Sequence, residues 1–568
     1  MFRAKIISSL QKCFIDEDPD EKPGLTGLSA YKNERFSFQL CYRADGVPSQ
    51  FDGFADISVS SDMNFEYGEA GMESKTPVIS VRCVEQVPTL VPVLPQHRDA
   101  DYLRDKPGLY PDVLVPARRG NKTPVCEEET RALWIECDPG KNGFEPGDHT
   151  IKITLMLGEN VIFEGGLPVH IVDAELPPQT LIFTQWFHCD CLSSYYNVPV
   201  FSAKHWKIIE NYIKTARRNG MNMILTPIFT PPLDTYIGGE RLTTQLVDVK
   251  VTDNGYEFGF KKLEKWVKIC RRCGIEYYEI SHLFTQWGAG HAPKIMAEVD
   301  GKTEQIFGWD TNSCGRKYRA FLSALIPELL KELKALGIDK NCRFHISDEP
   351  SAAHLEIYKK AKSVVAKLLK GYPIMDALSS IDYYRDGIVE HPVPACDHIE
   401  PFYEAAVPEL WTYYCCGQAI NVPNRFIAMP SYRNRIIGFL FYKYGIKGFL
   451  QWGYNFYNNQ GSYYPINPYL STACDYFAQA GDGISVWPAQ DGGTYESLRA
   501  CVFNDAISDM RALQLCESIY GREKTVAALE EDLPRPLKFA DWPKSEEYIL
   551  KTREKIDKMV EAGLKNGK

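Results

Sequence analysis

Two adjacent carboxylates, Asp348 and Glu349, are the residues of this chain best placed for acid–base chemistry. They follow a short apolar segment at 343–347 that reads as a buried strand, and Pro350 after them is typical of a helix start. Like charges side by side raise the pKa of one of the two groups, which a general acid needs. The helix dipole alone also favours acids near a helix start, so their chemistry depends on where the fold places them.

The elements that would position this pair repeat along the chain as an amphipathic helix, a glycine and a short apolar strand. Helices are predicted over 205–219, 260–273, 318–336 and 352–370. The candidate strands are 181–186, 221–226, 277–282, 343–347, 374–379, 398–402, 410–415 and 448–452. This alternation predicts a (β/α)8 barrel with irregular helices, closed by a helix over 495–519. An open doubly wound sheet is the alternative, although no glycine-rich phosphate turn follows the first strand.

The regions that flank this repeat have other patterns. Strand-like alternation at 36–40, 78–87, 133–136, 151–157 and 161–172 predicts an N-terminal antiparallel β-sandwich. Leu176-Pro177-Pro178 then forms a stiff linker, and the tail reads as two charged helices on the barrel. We therefore predict a sandwich over 1–175, a catalytic barrel over 176–521 and a helical tail over 522–568.

Composition narrows the classes of partner. The net charge of −10 and the pI of about 5.7, with no basic block, argue against nucleic-acid binding. No apolar run approaches the roughly 18 residues of a membrane helix, and the N-terminus lacks a secretory signal pattern. Together with 17 scattered cysteines, this favours a cytoplasmic protein. Close cysteine pairs at 189/191, 270/273 and 415/416 lack zinc-site spacing, so we predict neither metal nor cofactor.

In a barrel of this kind, catalytic groups lie at the carboxyl ends of the strands. Those ends carry Trp, Tyr, His and carboxylate side chains, which suit a sugar because aromatic rings pack on its apolar face and polar tips bind its hydroxyls. Only one of two successive strand residues, Tyr413 and Tyr414, can face inward. The predicted substrate-binding residues are Trp186, His188, His282, Asp382, Tyr383, Glu400, Tyr413, Tyr414, Trp452 and Asn455.

A double-displacement glycosidase needs a second carboxylate about 5 Å from its acid. The seventh strand, where one would be expected, ends in Tyr-Tyr-Cys-Cys, and Glu409 lies at its wrong end. Glu400 on the sixth strand is the remaining candidate. Two neighbouring acids without a distant nucleophile favour substrate assistance, in which the 2-acetamido oxygen of the sugar attacks C1. Asp348 would then stabilise the oxazolinium ion, and Glu349 would act as acid and base.

The segment F-H-I-S-D-E-P at 344–350 resembles the Asp-Glu-Pro signature of glycoside hydrolase family 123, the β-N-acetylgalactosaminidases, and of a related uncharacterised domain family. Other stretches resemble the same family, and the resemblance spans about residues 28 to 520. These other stretches are 33–39, 442–452, 481–483, 487–488 and 498–499. One departure is F-N-D-A-I-S-D at 503–509, where relatives often have R-D-G-I-E-D.

The resemblance implies that Asp348 stabilises the acetamido group and that Glu349 is the acid/base. It implies a retaining enzyme that releases terminal β-linked N-acetylhexosamine, N-acetylgalactosamine preferred, from an oligosaccharide or glycoconjugate. Two alternatives stay open: a glycosidase for another sugar with Glu349 as acid and Glu400 as nucleophile or base, and a non-catalytic carbohydrate-binding protein. The glycan, the linkage, the oligomeric state and the role of the sandwich stay undetermined by the sequence.

Overall fold

The computed structural model describes residues 1–46, 53–117 and 121–567. Its strands, in chain order, are β1 (Phe2–Ser8), β2 (Leu28–Tyr31), β3 (Phe36–Ala44), β4 (Phe54–Ser61), β5 (Glu66–Tyr67), β6 (Val78–Thr89), β7 (Gly108–Pro116), β8 (Lys122–Pro124), β9 (Thr130–Asp138), β10 (Gly147–Leu157), β11 (Asn160–Val172), β12 (Ile182–Gln185), β13 (Met223–Thr226), β14 (Asp248–Thr252), β15 (Gly255–Gly259), β16 (Tyr277–Ile280), β17 (Ile295–Val299), β18 (Lys302–Phe307), β19 (Cys342–Phe344), β20 (Met375–Ala377), β21 (His391–Val393), β22 (Trp411–Tyr413), β23 (Gly448–Gln451), β24 (Val486–Pro488) and β25 (Thr494–Ser497).

The α-helices are α1 (Cys189–Tyr195), α2 (Ala203–Arg218), α3 (Lys261–Arg272), α4 (Arg316–Ala335), α5 (Leu355–Val365), α6 (Asp382–Arg385), α7 (Glu400–Glu404), α8 (Ser431–Arg435), α9 (Ile437–Tyr444), α10 (Leu498–Tyr520), α11 (Arg522–Glu530) and α12 (Glu546–Lys565). The predicted helices correspond to α2, α3, α4 and α5, although α5 ends earlier than predicted. Gly220 follows α2 with a φ of 87°, a left-handed conformation that glycine adopts without a steric penalty.

Two mainly antiparallel sheets form the N-terminal part, as the alternating patterns predict. Sheet I has the order β1-β3-β9-β6-β7-β25-β24, with β5 beside β6, and sheet II has the order β2-β11-β10-β4-β8. A shared apolar core lies between them: Leu40 and Ile135 of sheet I pack there with Ile153 and Leu167 of sheet II. The inward-facing apolar residues of both sheets thus form one core.

Sheet I has apolar residues on both faces because it also packs against the predicted catalytic barrel, residues 176–521, which we call the catalytic part. Leu133 and Ile135 on β9 face sheet II, whereas Ala132 and Trp134 belong to the core of the catalytic part. The last two strands of sheet I, β24 and β25, come from the C-terminal third of the chain, and β25 pairs with β7. We predicted a helix from 495, but the chain stays extended to Ser497, where the closing helix α10 is capped.

The catalytic part contains eight short parallel strands in a curled arrangement. Six form one sheet with the order β19-β16-β13-β12-β23-β22, and β20 and β21 form a second. Single bridges, Phe344 to Ile374 and Ala395 to Tyr413, join the two sheets. The described residues therefore form a curled sheet, interrupted on both sides of β20 and β21, rather than one continuous eight-stranded ladder. The carboxyl ends of these strands lie along one edge.

The predicted sixth strand, 398–402, is wrong. The strand at this place in the chain is β21, and the predicted segment forms a short 3-10 turn followed by helix α7. Pro401 lies in the first turn of α7, a position that suits proline because its missing N–H would have no helical partner there. The sequence pattern did not predict β21 because this strand contains Pro392, and proline is rare in the interior of sheets.

Two additions to the catalytic part were not predicted. A four-stranded sheet with the order β15-β14-β17-β18 is inserted around α3 and β16, and long loops follow β13 and β23. The predicted charged tail forms α11 and α12. Arg553 on α12 bonds Glu34 of the N-terminal part and Asp509 on α10, so the tail joins the two parts. The boundaries at 175 and 521 remain a prediction.

Candidate active site

The acidic pair lies directly after β19, at the carboxyl edge of the curled sheet. Asp348 is half-buried, and Glu349 is exposed to solvent. The Trp287 N–H donates to the Asp348 carbonyl over 2.9 Å, and the Glu349 N–H donates to the Ala377 carbonyl over 3.1 Å. Glu349 has a φ of 41°, a left-handed conformation that strains a residue with a side chain. Segments after two neighbouring strands thus hold the pair at an accessible edge.

A buried ion network lies beneath this pair. Asp376 accepts hydrogen bonds from the backbone N–H groups of Ile346 and Ser347 and from His345 Nδ1, at 3.0–3.3 Å. His345 Nε2 lies 2.7 Å from Glu279 Oε1. Burial lowers the pKa of His345, but the bonds to Asp376 and Glu279 outweigh it and raise that pKa to about 10. His345 is therefore an imidazolium at neutral pH, fixed below the strand end that carries Asp348.

The electrostatics of Asp348 follow from these surroundings. Burial, and then the negative charges of Glu349 and Asp234, raise its pKa, and the His345 cation opposes them. The sequence predicted that two adjacent acids would raise one pKa, and in the structure the raised pKa belongs to Asp348.

Tyr413 is the partner of Glu349. Its hydroxyl donates to Glu349 Oε1 over 2.6 Å, and burial together with the Glu349 charge raises the pKa of Tyr413, so the phenol stays protonated. Tyr414 faces the other side of the strand, where its ring packs 4.8 Å from that of Phe449. Strand alternation predicts this division, and Tyr414 is not a site residue.

Four of the predicted substrate-binding residues are nearly or fully buried and support the site from below. They are Trp186, His188, Trp452 and Asn455. Trp186 Nε1 donates to Glu279 Oε1 over 2.8 Å. His188 Nε2 lies 3.0 Å from the Trp452 carbonyl, and Asn455 bonds both backbone groups of His188. Burial lowers the pKa of His188 to about 3, which keeps it neutral.

His282 is also fully buried, and its ring stacks 4.3 Å from that of His345. Neither of its ring nitrogens has a hydrogen-bond partner among the described residues. Burial and the His345 cation lower the pKa of His282, so it is neutral.

Three predicted residues form no hydrogen bond to either carboxylate of the acidic pair among the described residues. Asp382 is exposed at the start of α6, and the Tyr383 hydroxyl donates to the Ser351 carbonyl over 2.7 Å, which braces the loop after Pro350. Glu400 is on α7, where it accepts a hydrogen bond of 2.5 Å from Tyr444, the last residue of α9. Because α9 precedes β23, Glu400 lies on the amino-terminal side of the strands. The prediction that it lines the site is therefore wrong, and it follows from the wrong sixth strand.

Sequence reasoning missed Asp234, in the loop after β13. Burial raises its pKa to about 7; the Arg241 cation opposes this, and the charges of Glu349 and Asp482 add to it. Arg241 pairs with Asp190 over 2.7 Å and bonds the Leu233 carbonyl, so it fixes the loop next to Asp234. The site prediction covers only the first residues after each strand, and this acid lies eight residues beyond Thr226.

Two further residues at this edge were not predicted as site residues. Asp482 accepts a hydrogen bond of 2.8 Å from Trp452 Nε1 and is buried, and burial raises its pKa to about 6. Trp287 is 52% exposed directly beside Asp348. Its ring is a suitable surface for a sugar, whereas the buried Trp452 ring is held by Asp482.

Two clusters combine residue types that bind metals, but in each of them hydrogen bonds or ion pairs already occupy the ligand atoms of two of the three residues. In the group of His282, His345 and Asp376, hydrogen bonds already occupy both oxygens of Asp376 and both nitrogens of His345. In the group of Glu136, Glu496 and Cys501, Arg82 and Arg218 bind both carboxylates. The 17 cysteines all lie among the described residues, and none of them forms a disulfide there. Among the described residues, no helix is long and apolar enough to cross a bilayer.

A cavity of about 1240 Å³ lies elsewhere, between sheet II and α12. It contains none of the predicted site residues. Arg553 on its wall pairs with Glu34 and Asp557, so the charge of this guanidinium is already neutralised. We place the candidate site at the carboxyl edge instead, because the accessible acid pair, its tyrosine partner and the exposed tryptophan are together there.

Comparisons with known proteins show which family the chain is similar to. The sequence profile described as glycoside hydrolase 123, catalytic domain, matches residues 186–516. No curated protein sequence matches the chain. The structure of a family 123 glycoside hydrolase from Clostridium perfringens, reported for glycolipid glycan hydrolysis, is similar with a TM-score of 0.72 at 15% identity, over 100% of this chain and 98% of that chain. A family 39 glycoside hydrolase from Bacteroides cellulosilyticus has a TM-score of only 0.32 at 12% identity, over 79% and 82% of the chains.

Proposed function

Because the chain belongs to glycoside hydrolase family 123 and is thus a glycoside hydrolase, we propose that it releases terminal β-linked N-acetylhexosamine, with N-acetylgalactosamine preferred. We propose further that its eight parallel strands act as an irregular (β/α)8 barrel with the site at its carboxyl end. The observation that carries this proposal is the accessible Glu349, bonded by Tyr413 and adjacent in the chain to Asp348.

The proposed reaction has two steps. First, the acetamido oxygen of the sugar attacks C1, the bond from C1 to the leaving oxygen breaks, and Glu349 gives its proton to that oxygen. Asp348 accepts a hydrogen bond from the acetamido N–H and stabilises the positive charge of the oxazolinium ion. Glu349 then takes a proton from water, which attacks C1 and opens the ring. Two inversions at C1 give net retention.

Tyr413 supports the role of Glu349 in both steps. Its hydroxyl bonds Oε1, which fixes the carboxyl plane and leaves Oε2 to carry the proton that is transferred. Trp287 beside Asp348 provides an exposed ring on which the sugar can pack.

A mechanism with an enzyme nucleophile has less support. Glu400 lies on the amino-terminal side of the strands and bonds Tyr444. The other acids that the structure adds at this edge are Asp234 and Asp482. With a pKa of about 7, Asp234 is largely protonated below neutral pH, which makes it a poor nucleophile there. Asp482 is buried and accepts a hydrogen bond from Trp452 Nε1.

A panel of 4-nitrophenyl β-glycosides tests the proposed specificity. We expect release of nitrophenol from the N-acetylgalactosaminide, slower release from the N-acetylglucosaminide, and almost none from the glucoside and galactoside, which lack the acetamido group. Faster cleavage of the galactoside than of the N-acetylgalactosaminide would contradict substrate assistance.

A further inference from the structure

Two tyrosines form an exposed platform at the same edge as the acidic pair. The rings of Tyr236 and Tyr463 lie 4.0 Å apart and within 8° of parallel. Tyr236 is 38% exposed and Tyr463 is 63% exposed. Since Tyr236 covers one face of the Tyr463 ring, the other face of Tyr463 is open to solvent. The two residues belong to the loops after β13 and β23, and we call them the tyrosine platform.

The backbone around the platform is built to hold it in place. The Tyr236 N–H donates to the Gly461 carbonyl over 3.0 Å, and Ser462 Oγ donates to the Asp234 carbonyl over 2.7 Å. A Cβ at Gly239 would lie 2.5 Å from the Tyr236 ring, so only glycine lets that ring lie flat there. Ser462 has a left-handed φ of 55°, a strained conformation. This strained backbone holds two rings that are not buried, which indicates that the rings bind a ligand.

A continuous series of contacts joins the platform to Asp348. Tyr236 is two residues from Asp234, whose N–H donates to Gln286 Oε1 over 2.6 Å. The next residue, Trp287, donates its N–H to the Asp348 carbonyl. The platform is therefore part of the same surface as the acidic pair rather than a separate patch.

We propose that the tyrosine platform binds the pyranose ring next to the scissile bond, on the leaving-group side. This inference rests on the proposed function: if the enzyme releases a terminal sugar, every further sugar lies on that side. An open aromatic face fits the apolar face of a pyranose. Neither Tyr236 nor Tyr463 has a hydroxyl partner among the described residues, so both hydroxyls are available to sugar hydroxyls. The net charge of −10 disfavours an anionic lipid surface as the occupant.

Tyr463→Ala tests the proposal with two substrates: a β-linked N-acetylgalactosaminyl-hexose disaccharide and the methyl β-glycoside of N-acetylgalactosamine. The methyl leaving group has no ring and cannot stack, unlike nitrophenol. We expect kcat/KM for the disaccharide, relative to that for the methyl glycoside, to fall about 5- to 10-fold. Tyr463→Phe keeps the stacking face and should retain most of this ratio.

Tyr403→Ala is the matched control. Tyr403 is 45% exposed, forms a ring pair with Tyr444 at 4.6 Å, and lies on α7, away from the carboxyl edge. In Tyr403→Ala, kcat/KM for the disaccharide relative to that for the methyl glycoside should equal the wild-type value. If Tyr463→Ala leaves this ratio unchanged, or lowers kcat/KM equally for both substrates, the proposed role of the tyrosine platform is wrong and the proposed function still stands. If the wild-type enzyme cleaves neither substrate, the proposed function fails and the platform with it.

Discussion

At the residue scale, the proposed function depends on one acid whose geometry is fixed by its neighbours. Glu349 is exposed, is strained by its positive φ and bonds Tyr413, while Asp348 beside it rests on the network of Asp376 and His345. A general acid matters most when the leaving oxygen is a poor leaving group, because only then is protonation needed. Leaving-group dependence therefore distinguishes an acid from a residue that only binds.

Glu349→Gln should lower kcat/KM for an oligosaccharide by about 10²- to 10⁴-fold, and much less for a 4-nitrophenyl glycoside. Steady-state kinetics on both substrates measures the difference. Glu400→Gln is the control and should behave as the wild type, since Glu400 bonds Tyr444 at the opposite side. Equal losses on both substrates, or a large loss in Glu400→Gln, would contradict the assignment.

Asp234→Asn should change the pH dependence. The negative charge of Asp234 contributes to the raised pKa of Asp348, so removing it lowers that pKa. Because the proposed mechanism requires Asp348 in its ionised form to stabilise the oxazolinium ion, the acid limb of the kcat/KM profile should move to lower pH. Glu409→Gln, an exposed acid that precedes β22, should leave the limb unchanged. A shift to higher pH, or none, would show that Asp234 does not influence the pair.

Whether a candidate site residue could be predicted from the sequence depends on how far it lies from a strand. Asp348, Glu349 and Tyr413 could be predicted because they lie at strand ends, where the pattern of apolar residues locates them. Asp234, Trp287 and Asp482 could not, because they depend on the path of loops, which no periodicity encodes. Trp186 and His188 were placed at the right edge, but the sequence could not reveal that both are buried.

At the element scale, buried charges join the N-terminal sheets to the catalytic part. Glu496 on β25 lies between Arg82 of β6, which also pairs with Glu136 of β9, and Arg218 of α2. All four side chains are largely or fully buried. The sequence could not predict this junction, since β25 and β7 pair across more than 370 residues and the segment before α10 read as helix. A short strand at such a separation has no local signal of its own.

Glu496→Gln should destabilise the protein by about 3–5 kcal/mol, because it leaves two buried arginines with one carboxylate fewer. Burial raises the pKa of Glu496, but Arg218 and Arg82 outweigh it and lower that pKa. Its stabilising contribution is therefore present above the unfolded pKa of about 4.3 and is lost as the pH falls further.

Chemical denaturation at pH 7 and pH 4 measures this effect. The difference between wild type and Glu496→Gln should shrink at the lower pH. Glu547→Gln, which removes an exposed pair with Lys551 on α12, is the control and should be indistinguishable from the wild type. A Glu496→Gln variant as stable as the wild type at pH 7 would show that the junction is not held by this carboxylate.

At the scale of the whole molecule, the N-terminal and catalytic parts share elements. Sheet I includes β24 and β25 from the C-terminal third, and Trp134 of β9 lies in the core of the catalytic part. Arg553 of the tail bonds Glu34, Asp509 and Asp557. The order of patterns along the sequence predicted separate parts, but their sharing of strands and cores is a tertiary property without a local signal.

The intact protein should therefore unfold in a single calorimetric transition, because melting of sheet I would expose apolar surface of the catalytic part at the same time. Differential scanning calorimetry at several scan rates measures this. Two resolved transitions, one of them retained by a fragment of residues 1–175, would mean that the N-terminal part is stable alone.

The proposed mechanism requires the bound sugar to supply the nucleophile at Asp348 and Glu349. Inhibition by the thiazoline analogue of N-acetylgalactosamine tests it most directly, because this compound mimics the oxazolinium ion and transition-state analogues bind at least about 10²-fold more tightly than substrates. We predict competitive inhibition that is at least that much stronger than inhibition by free N-acetylgalactosamine, and that weakens in Asp348→Asn. No inhibition, together with covalent labelling of Asp234 by a 2-fluoro glycoside, would contradict the account.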